Sequence, residues 1–170
     1  MGINTKQLIE LIIQPTLKDL NLYSLAAEQL LAGTCAQESG MGTYLKQVGA
    51  GPALGAWQME KQSHDDIWKN YLIYSTKETL RNSLFDTTEI ADKPEGEDIS
   101  HYLIFNLKYA CAMARIHYLR VKEPLPPAND IPALAAYYKK YYNTPNGGAS
   151  EQQFIDNWNK YCANYYGGGK

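Results

Sequence analysis

The sequence has little of what marks a disulfide-rich, metal-binding, nucleic-acid-binding or membrane-spanning protein. Its three cysteines, Cys35, Cys111 and Cys162, are an odd number at wide spacing. They predict small buried thiols rather than a disulfide framework or a zinc motif. The formal net charge is only -2, so no broad electrostatic attraction to nucleic acid or anionic lipid is expected. No run of residues is long and apolar enough to cross a bilayer.

The first residues also lack the pattern of a targeting segment. A secretion signal begins with basic residues that are followed by a long apolar run, and residues 1–6 do not open such a pattern. Lys6 stands where a myristoylation motif requires Ser or Thr. We therefore expect no secretion signal and no lipid anchor of this kind.

Tyrosine dominates the aromatic residues, with 14 Tyr and 3 Trp against 3 Phe. The side chains of tyrosine and tryptophan combine a flat apolar face with a polar edge, which suits sugar binding and equally suits a protein interface. A length of 170 residues, with 45% apolar and 20% charged residues, is typical of one globular domain with a sizeable core. We predict a single domain over residues 1–170, in which 1–20 form a helical N-terminal extension to a core at 22–165.

The hydrophobic pattern predicts an all-α fold, because apolar residues recur at helical spacing along most of the chain. Pro15 is expected to end a first helix. A second helix is expected from about Leu22 to Gln37, with Asn21 as its cap. Residues 101–121 are the longest periodic stretch and predict a central buried helix. The glycine-rich residues 40–55 predict a loop, with a short β-hairpin near residues 43–58.

Further helix starts and loops follow from local signals in the sequence. Capping patterns predict helix starts at Ser63, Ser75 and Ser150, and a proline in the first turn marks another start at Asp130. The polar stretch at 86–98 predicts an exposed loop, and the cluster at 143–148 predicts a turn.

One carboxylate lies where packing does not need it. Glu38 follows an apolar helical run, in Gln37-Glu38-Ser39-Gly40. The helix dipole disfavours a carboxylate at a C-terminal end, which would raise its pKa, as a proton donor requires. About twenty residues later, Gly55-Ala56-Trp57-Gln58-Met59-Glu60 predicts a small-residue turn that leads into amide and aromatic side chains. The alternative for Glu38 is an ordinary surface glutamate.

These motifs resemble those of goose-type lysozymes and soluble lytic transglycosylases. Glu38-Ser39 is similar to the Glu-Ser motif of that family, and Gly55-Ala56-Trp57-Gln58-Met59 is similar to its Gly-Leu-Met-Gln motif. Tyr142-Asn143, followed by Gly147, resembles its Tyr-Asn element. The order and rough spacing agree over about residues 22–160. The stretch from Gln58 to His64 is most similar to the goose-type form, where an Asp usually stands in place of Glu60.

The resemblance implies a lysozyme-like fold, with residues 22–165 as catalytic core. It implies cleavage of the β-1,4 bond between N-acetylmuramic acid and N-acetylglucosamine in peptidoglycan. Glu38 would be the general acid and would receive a hydrogen bond from Tyr142. The substrate-binding residues would be those of the three motifs: Ser39, Gly55, Trp57, Gln58, Tyr142 and Asn143. No metal or other cofactor is implied, and His64 beside Asp65 has no second histidine at ligand spacing.

Glu60 is the candidate for the second catalytic group. Hydrolysis with inversion needs a second carboxylate that holds a water, and Glu60 occupies the family's matching position. Its other explanation is favourable interaction with a helix dipole. Without a working base, the sugar's own groups would give an anhydro product, as in lytic transglycosylases. Both products stay open from the sequence, with the lysozyme type favoured.

The compact size and the lack of a secretion signal resemble a bacteriophage member of the family. Such a protein would act in the virion, or in the host cytoplasm before release to the periplasm. Its partners would be peptidoglycan glycan strands and other virion proteins, and no nucleic acid. Two alternatives use the same fold: a structural virion or tail protein with little or no activity, and a module that binds chitin-like sugars without cleaving them.

Overall fold

The structure is a computed structural model that describes residues 2–49, 51–90, 97–143 and 147–167. Over these residues the chain is mostly helical, with a two-stranded antiparallel sheet. The predicted helical class is therefore confirmed. None of the described helices combines the length and the hydrophobicity needed to cross a membrane.

The elements are numbered in chain order. The α-helices are α1 (Thr5–Leu8), α2 (Gln14–Asp19), α3 (Leu25–Ser39), α4 (Lys61–Ile67), α5 (Glu78–Thr88), α6 (Tyr102–Phe105), α7 (Leu107–Leu119), α8 (Ile131–Tyr138) and α9 (Glu151–Tyr161). Segments of π-helix at Ile9–Ile13, Trp68–Leu72 and Lys139–Asn143 follow α1, α4 and α8, and Ser75–Lys77 is a 3₁₀ turn. The strands are β1 (Ala53–Leu54) and β2 (Met59–Glu60).

Pro15 does not end the first helix, contrary to the prediction. The chain is helical without a break from Thr5 to Asp19, and Pro15 lies in the first turn of α2. The N–H of Gln14 donates to the carbonyl of Ile9, five residues back, as in a π-turn. Because a new α-turn begins directly after this wider turn, the proline occupies a first-turn position, where its missing N–H is tolerated.

Helix α3 is buried on nearly all sides, from Ala27 to Ala36. It begins at Ser24, whose side chain accepts a hydrogen bond from the N–H of Ala27, so the predicted cap at Asn21 is wrong. It ends at Ser39, and the next residue, Gly40, adopts the left-handed conformation (φ 56°) that closes the helix. Residues next to each end therefore specify where the helix starts and stops. The buried middle of the helix holds Glu38 in place.

The predicted central helix is interrupted at Asn106. This residue ends α6 in an extended conformation, and its side chain then accepts a hydrogen bond from the N–H of Tyr109 at 3.0 Å, which starts α7. Helix α7 is almost wholly buried and packs against α2, α3 and α5. The buried central helix is thus confirmed over residues 107–119, while residues 102–105 form a separate turn.

The hairpin lies at the far end of the predicted region. Ala53 pairs with Glu60 and Leu54 pairs with Met59, and Lys46 forms an isolated bridge to Leu54. The sheet therefore extends slightly past residue 58 and places Glu60 directly before α4. Helix α4 starts earlier than predicted, so Ser63 lies inside it and does not cap it.

The remaining helix starts mostly follow the sequence signals. Asp130 accepts a hydrogen bond from the N–H of Ala133, and Ser150 forms a full capping box with Gln153. At Ser75 the chain begins with a 3₁₀ turn and enters α5 only at Glu78. The three cysteines are buried free thiols, as predicted. The predicted exposed loop at 86–98 is wrong at its start, because residues 86–88 belong to the last turn of α5, where Thr87 and Thr88 are buried. The rest of that loop and the predicted turn at 143–148 fall partly on residues 91–96 and 144–146, outside the described residues.

Candidate active site

A cleft of about 570 Å³ opens between the end of α3, the sheet, the start of α4 and the π-helical segment after α8. Five of the residues singled out from the sequence line it: Glu38, Gln58, Glu60, Tyr142 and Asn143. It is also lined by residues for which no role in a site was predicted, among them Gln47, Ser63, His117 and Gly148. The structure thus brings three distant parts of the chain to one cavity.

Glu38 is the acidic group at the wall of this cleft. It is the second-last residue of α3 and is mostly buried. Burial raises its pKa to about 7, against the opposing effect of a hydrogen bond from Tyr138. A carboxyl with a pKa near 7 is partly protonated at neutral pH, which is the condition that a general acid must meet.

The phenol partner of Glu38 is Tyr138 rather than Tyr142. The hydroxyl of Tyr138 donates to Oε1 of Glu38 at 2.6 Å, whereas the hydroxyl of Tyr142 donates to the carbonyl of Trp57 at 2.7 Å. The hydrogen bond that the resemblance implied from Tyr142 is therefore made one helical turn earlier. The two rings stack with centroids 6.1 Å apart. Their i, i+4 spacing is the signal in the sequence that could have identified Tyr138.

Three predicted substrate-binding residues are buried supports of the site. The hydroxyl of Ser39 donates to the carbonyl of Ala56 at 2.6 Å, and the indole N–H of Trp57 donates to the carbonyl of Leu31 at 2.9 Å. Gly55 has φ 75°, and a Cβ there would lie 2.0 Å from the carbonyl oxygen of Leu103. These groups join the turn to α3 and to the chain before α7, and none of the three lines the cleft, so their contact with substrate stays a prediction.

Glu60 reaches the cleft from the small sheet rather than from α3. It is the last residue of β2, it immediately precedes α4, and it is exposed. Glu38, by contrast, comes from α3 and is mostly buried. The cleft thus carries two carboxyl groups in different environments, a pattern that allows one to act as acid and the other as base.

His117, at the end of α7, is a cleft residue that the sequence analysis missed. Its Nε2 lies 2.8 Å from the carbonyl oxygen of Tyr141. A carbonyl only accepts, so Nε2 carries the proton. Burial lowers the pKa of His117, which keeps the ring neutral at pH 7. The ring also packs edge-on against Tyr142, with centroids 5.1 Å apart. His117 therefore braces the segment that carries Tyr142 and Asn143.

Among the described residues, no group of three or more His, Cys, Asp or Glu side chains could hold a metal ion. His64 is fully buried, with Nε2 2.7 Å from the hydroxyl of Tyr109 and Nδ1 3.0 Å from Asp65. Trp68 also donates to that hydroxyl, at 3.0 Å. This network fixes α4 against α7, so His64 has a structural role in holding the helix that follows Glu60.

Replacing Tyr138 by Phe is expected to raise the pKa of Glu38. The phenol donates to the carboxylate and so favours the charged form. Its removal should raise the pKa of Glu38 by about one to two units, since a hydrogen bond to a charged group contributes roughly 1.5–3 kcal/mol. The measurement is a carboxyl-carbon NMR titration. The matched control is Tyr142→Phe, because the hydroxyl of Tyr142 donates to a backbone carbonyl and not to Glu38. An equal upward shift in both variants would contradict the assignment.

No protein-family model, no curated protein and no solved structure matches the chain. The geometry of the site and the motifs in the sequence are therefore the basis for its function. That geometry is a mostly buried carboxyl with a pKa of about 7, on the wall of a cleft that also carries an exposed second carboxylate and the side-chain amides of Gln47, Gln58 and Asn143.

Proposed function

We propose that this chain is a peptidoglycan-cleaving glycosidase, of the muramidase or lytic transglycosylase type. Glu38 would protonate the bridging oxygen of the β-1,4 bond between N-acetylmuramic acid and N-acetylglucosamine. The observation that carries the proposal is the Glu38 carboxyl, mostly buried and with a pKa of about 7, at the wall of a cleft of about 570 Å³. That volume falls within the range of about 300–1,000 Å³ common for ligand sites.

The surroundings of Glu38 suit glycosidic bond cleavage. An acid of this pKa can lend its proton to a leaving oxygen near neutral pH, which contributes about 10²–10⁴ to a rate. Once the proton has left, Glu38 is an anion in a mostly buried place. The hydroxyl of Tyr138, at 2.6 Å, already donates to it and would stabilise that charge. The amides of Gln58 and Asn143 and the hydroxyl of Ser63 provide polar groups for a sugar in the same cleft.

The second half of the reaction is assigned to Glu60. Its exposed carboxylate lines the cleft and could accept a proton from a water that attacks the sugar carbon while the bond to the leaving oxygen breaks. This route gives a product with a new reducing end. If no water is activated, a hydroxyl of the same sugar attacks instead and closes an anhydro ring.

The test of the function is the release of soluble fragments from purified murein by the wild-type chain. Loss of turbidity and the appearance of muropeptides between pH 5 and pH 8 would support the proposal. Intact murein over this whole range would reject it. In that case the structural virion alternative, in which a domain of this shape has no activity, would be preferred.

Replacing Glu60 by Gln is expected to change the products as well as the rate. Wild-type fragments should carry reducing ends, which gain two hydrogens on borohydride reduction and are identified by mass spectrometry. In Glu60→Gln these fragments should fall by about 10²-fold or more, since base catalysis contributes about 10²–10⁴, and any remaining product should carry anhydro ends. Anhydro ends alone in the wild type would remove Glu60 as the base and indicate the lytic transglycosylase route.

A further inference from the structure

Asn143 is held in one orientation by a lysine outside the predicted site. The Oδ1 atom of Asn143 lies 2.9 Å from Nζ of Lys139, one turn earlier in the π-helical segment. An ammonium group can only donate, so the amide atom that faces it must be the oxygen. The Nδ2 group, with its two N–H donors, is therefore the polar atom of this cleft residue that Lys139 leaves available.

Lys139 is itself fixed. Its Nζ also donates to the carbonyl of Gly147 at 2.7 Å, and its side chain is partly buried. It forms no ion pair with any carboxylate in the described part of the chain, so its donors are directed at neutral oxygens. A Cβ on Gly147 would lie 2.1 Å from the backbone oxygen of Asn143. Lys139 thus connects Asn143 to Gly147, and only glycine fits at position 147.

The pKa of Tyr138 agrees with this direction. Burial raises that pKa, and the Asn143 side chain acts in the opposite direction, as a hydrogen-bond donor near a phenol does.

Gln58, another amide that lines the cleft, is held in the opposite orientation to Asn143. The Nε2 of Gln58 donates to the carbonyl of Gly55 at 2.7 Å, which leaves Oε1 as its free polar atom. A carbonyl only accepts, so this orientation is also fixed by chemistry. At these two positions the cleft therefore offers an oriented donor, at Asn143, and an oriented acceptor, at Gln58.

We propose that Lys139 is a positioning residue that makes Asn143 a hydrogen-bond donor to the glycan. A carbonyl oxygen, as in the acetamido group of an N-acetylated sugar, is the partner that this donor selects. An N-deacetylated sugar instead presents an ammonium group, which cannot accept from Asn143 and is repelled by the charge of Lys139. The inference rests on the proposed function for the choice of a glycan as ligand.

The test is the binding of two probes by calorimetry in a Glu38→Gln background, where cleavage should be slower by about two to four orders of magnitude. The probes are the fully N-acetylated chitotetraose and the fully deacetylated chitosan tetramer. Adding Lys139→Met should weaken the binding of chitotetraose by about 3- to 10-fold, the size expected for one hydrogen bond. The binding of the deacetylated tetramer should stay the same or become tighter. Lys139→Arg, which keeps the donors and the charge, should retain most of the chitotetraose affinity.

A second variant, Asn143→Asp, keeps the bond to Lys139 but replaces the donors by acceptors. It should lose chitotetraose affinity to a similar extent and gain affinity for the deacetylated tetramer. An equal change for both probes in Lys139→Met and in Asn143→Asp would overturn the role of Lys139. Failure of the parent Glu38→Gln protein to bind either tetramer would instead overturn the proposed function, and this inference with it.

Discussion

Replacing Glu38 by Gln should reduce the rate of murein cleavage by about two to four orders of magnitude, the contribution expected of a general acid. Glutamine has almost the same shape and can still accept the hydrogen bond that Tyr138 now gives to Oε1. It has no acidic proton to donate to the leaving oxygen. The loss should be largest below pH 7, because above its pKa of about 7 the wild-type carboxyl is itself deprotonated.

The matched control for this experiment is Glu28→Gln. Glu28 lies on the same helix, is 1% exposed, and also accepts a hydrogen bond from a tyrosine, Tyr166, at 2.8 Å. It does not line the cleft. The control should therefore keep wild-type activity wherever it is folded. Equal rates for Glu38→Gln and wild type would remove Glu38 from the mechanism, and equal losses in both variants would trace the effect to stability.

The same substitution should stabilise the folded protein above neutral pH. The pKa of Glu38 is raised from 4.5 to about 7 on folding, so the folded state holds this proton more tightly than the unfolded state. The free energy of unfolding therefore falls as the pH rises from about 4.5 to about 7. A difference of roughly 2.5 pH units corresponds to about 3 kcal/mol. Glutamine stays neutral at every pH and avoids this cost.

Urea unfolding of both proteins at pH 4, 6 and 8 measures this effect. At pH 4 the glutamine variant and the wild type should be nearly equal, because Glu38 is then protonated in the folded state. At pH 8 the variant should be more stable by about 3 kcal/mol. A difference that does not change with pH would show that the carboxyl is not desolvated. The expected result would mean that Glu38 lowers the stability of the fold while it provides a proton donor, as is common at catalytic sites.

The supports of the site could be located from the sequence, but their roles could not be assigned. Ser39, Gly55 and Trp57 were picked out by motif position, and they do lie around Glu38. Their hydroxyl, missing side chain and indole are used inside the protein, at Ala56, Leu103 and Leu31. A motif records which residues a site needs; it does not separate a group that contacts substrate from one that holds the turn in place.

What the sequence determined by itself was local. Helical periodicity predicted the mostly helical fold, and capping signals placed the starts of α8 and α9, because both depend on residues within a few positions of one another. The same local pattern placed Glu38 at the end of a buried helix. The caps predicted at Asn21 and Ser63 were each wrong by three residues. The effect of Pro15 was also predicted wrongly, since it depended on a π-turn that no local rule predicts.

Only the tertiary structure decided how the parts of the site meet. Whether Tyr138 or Tyr142 reaches Glu38 depends on how α8 packs against α3 and on the π-helical segment that follows α8. The burial that raises the pKa of Glu38 comes from elements far away in the chain. The directions of the Asn143 and Gln58 amides are set by Lys139 and by the carbonyl of Gly55. Desolvation and hydrogen-bond direction are properties of atoms in space, and spacing along a sequence does not specify them.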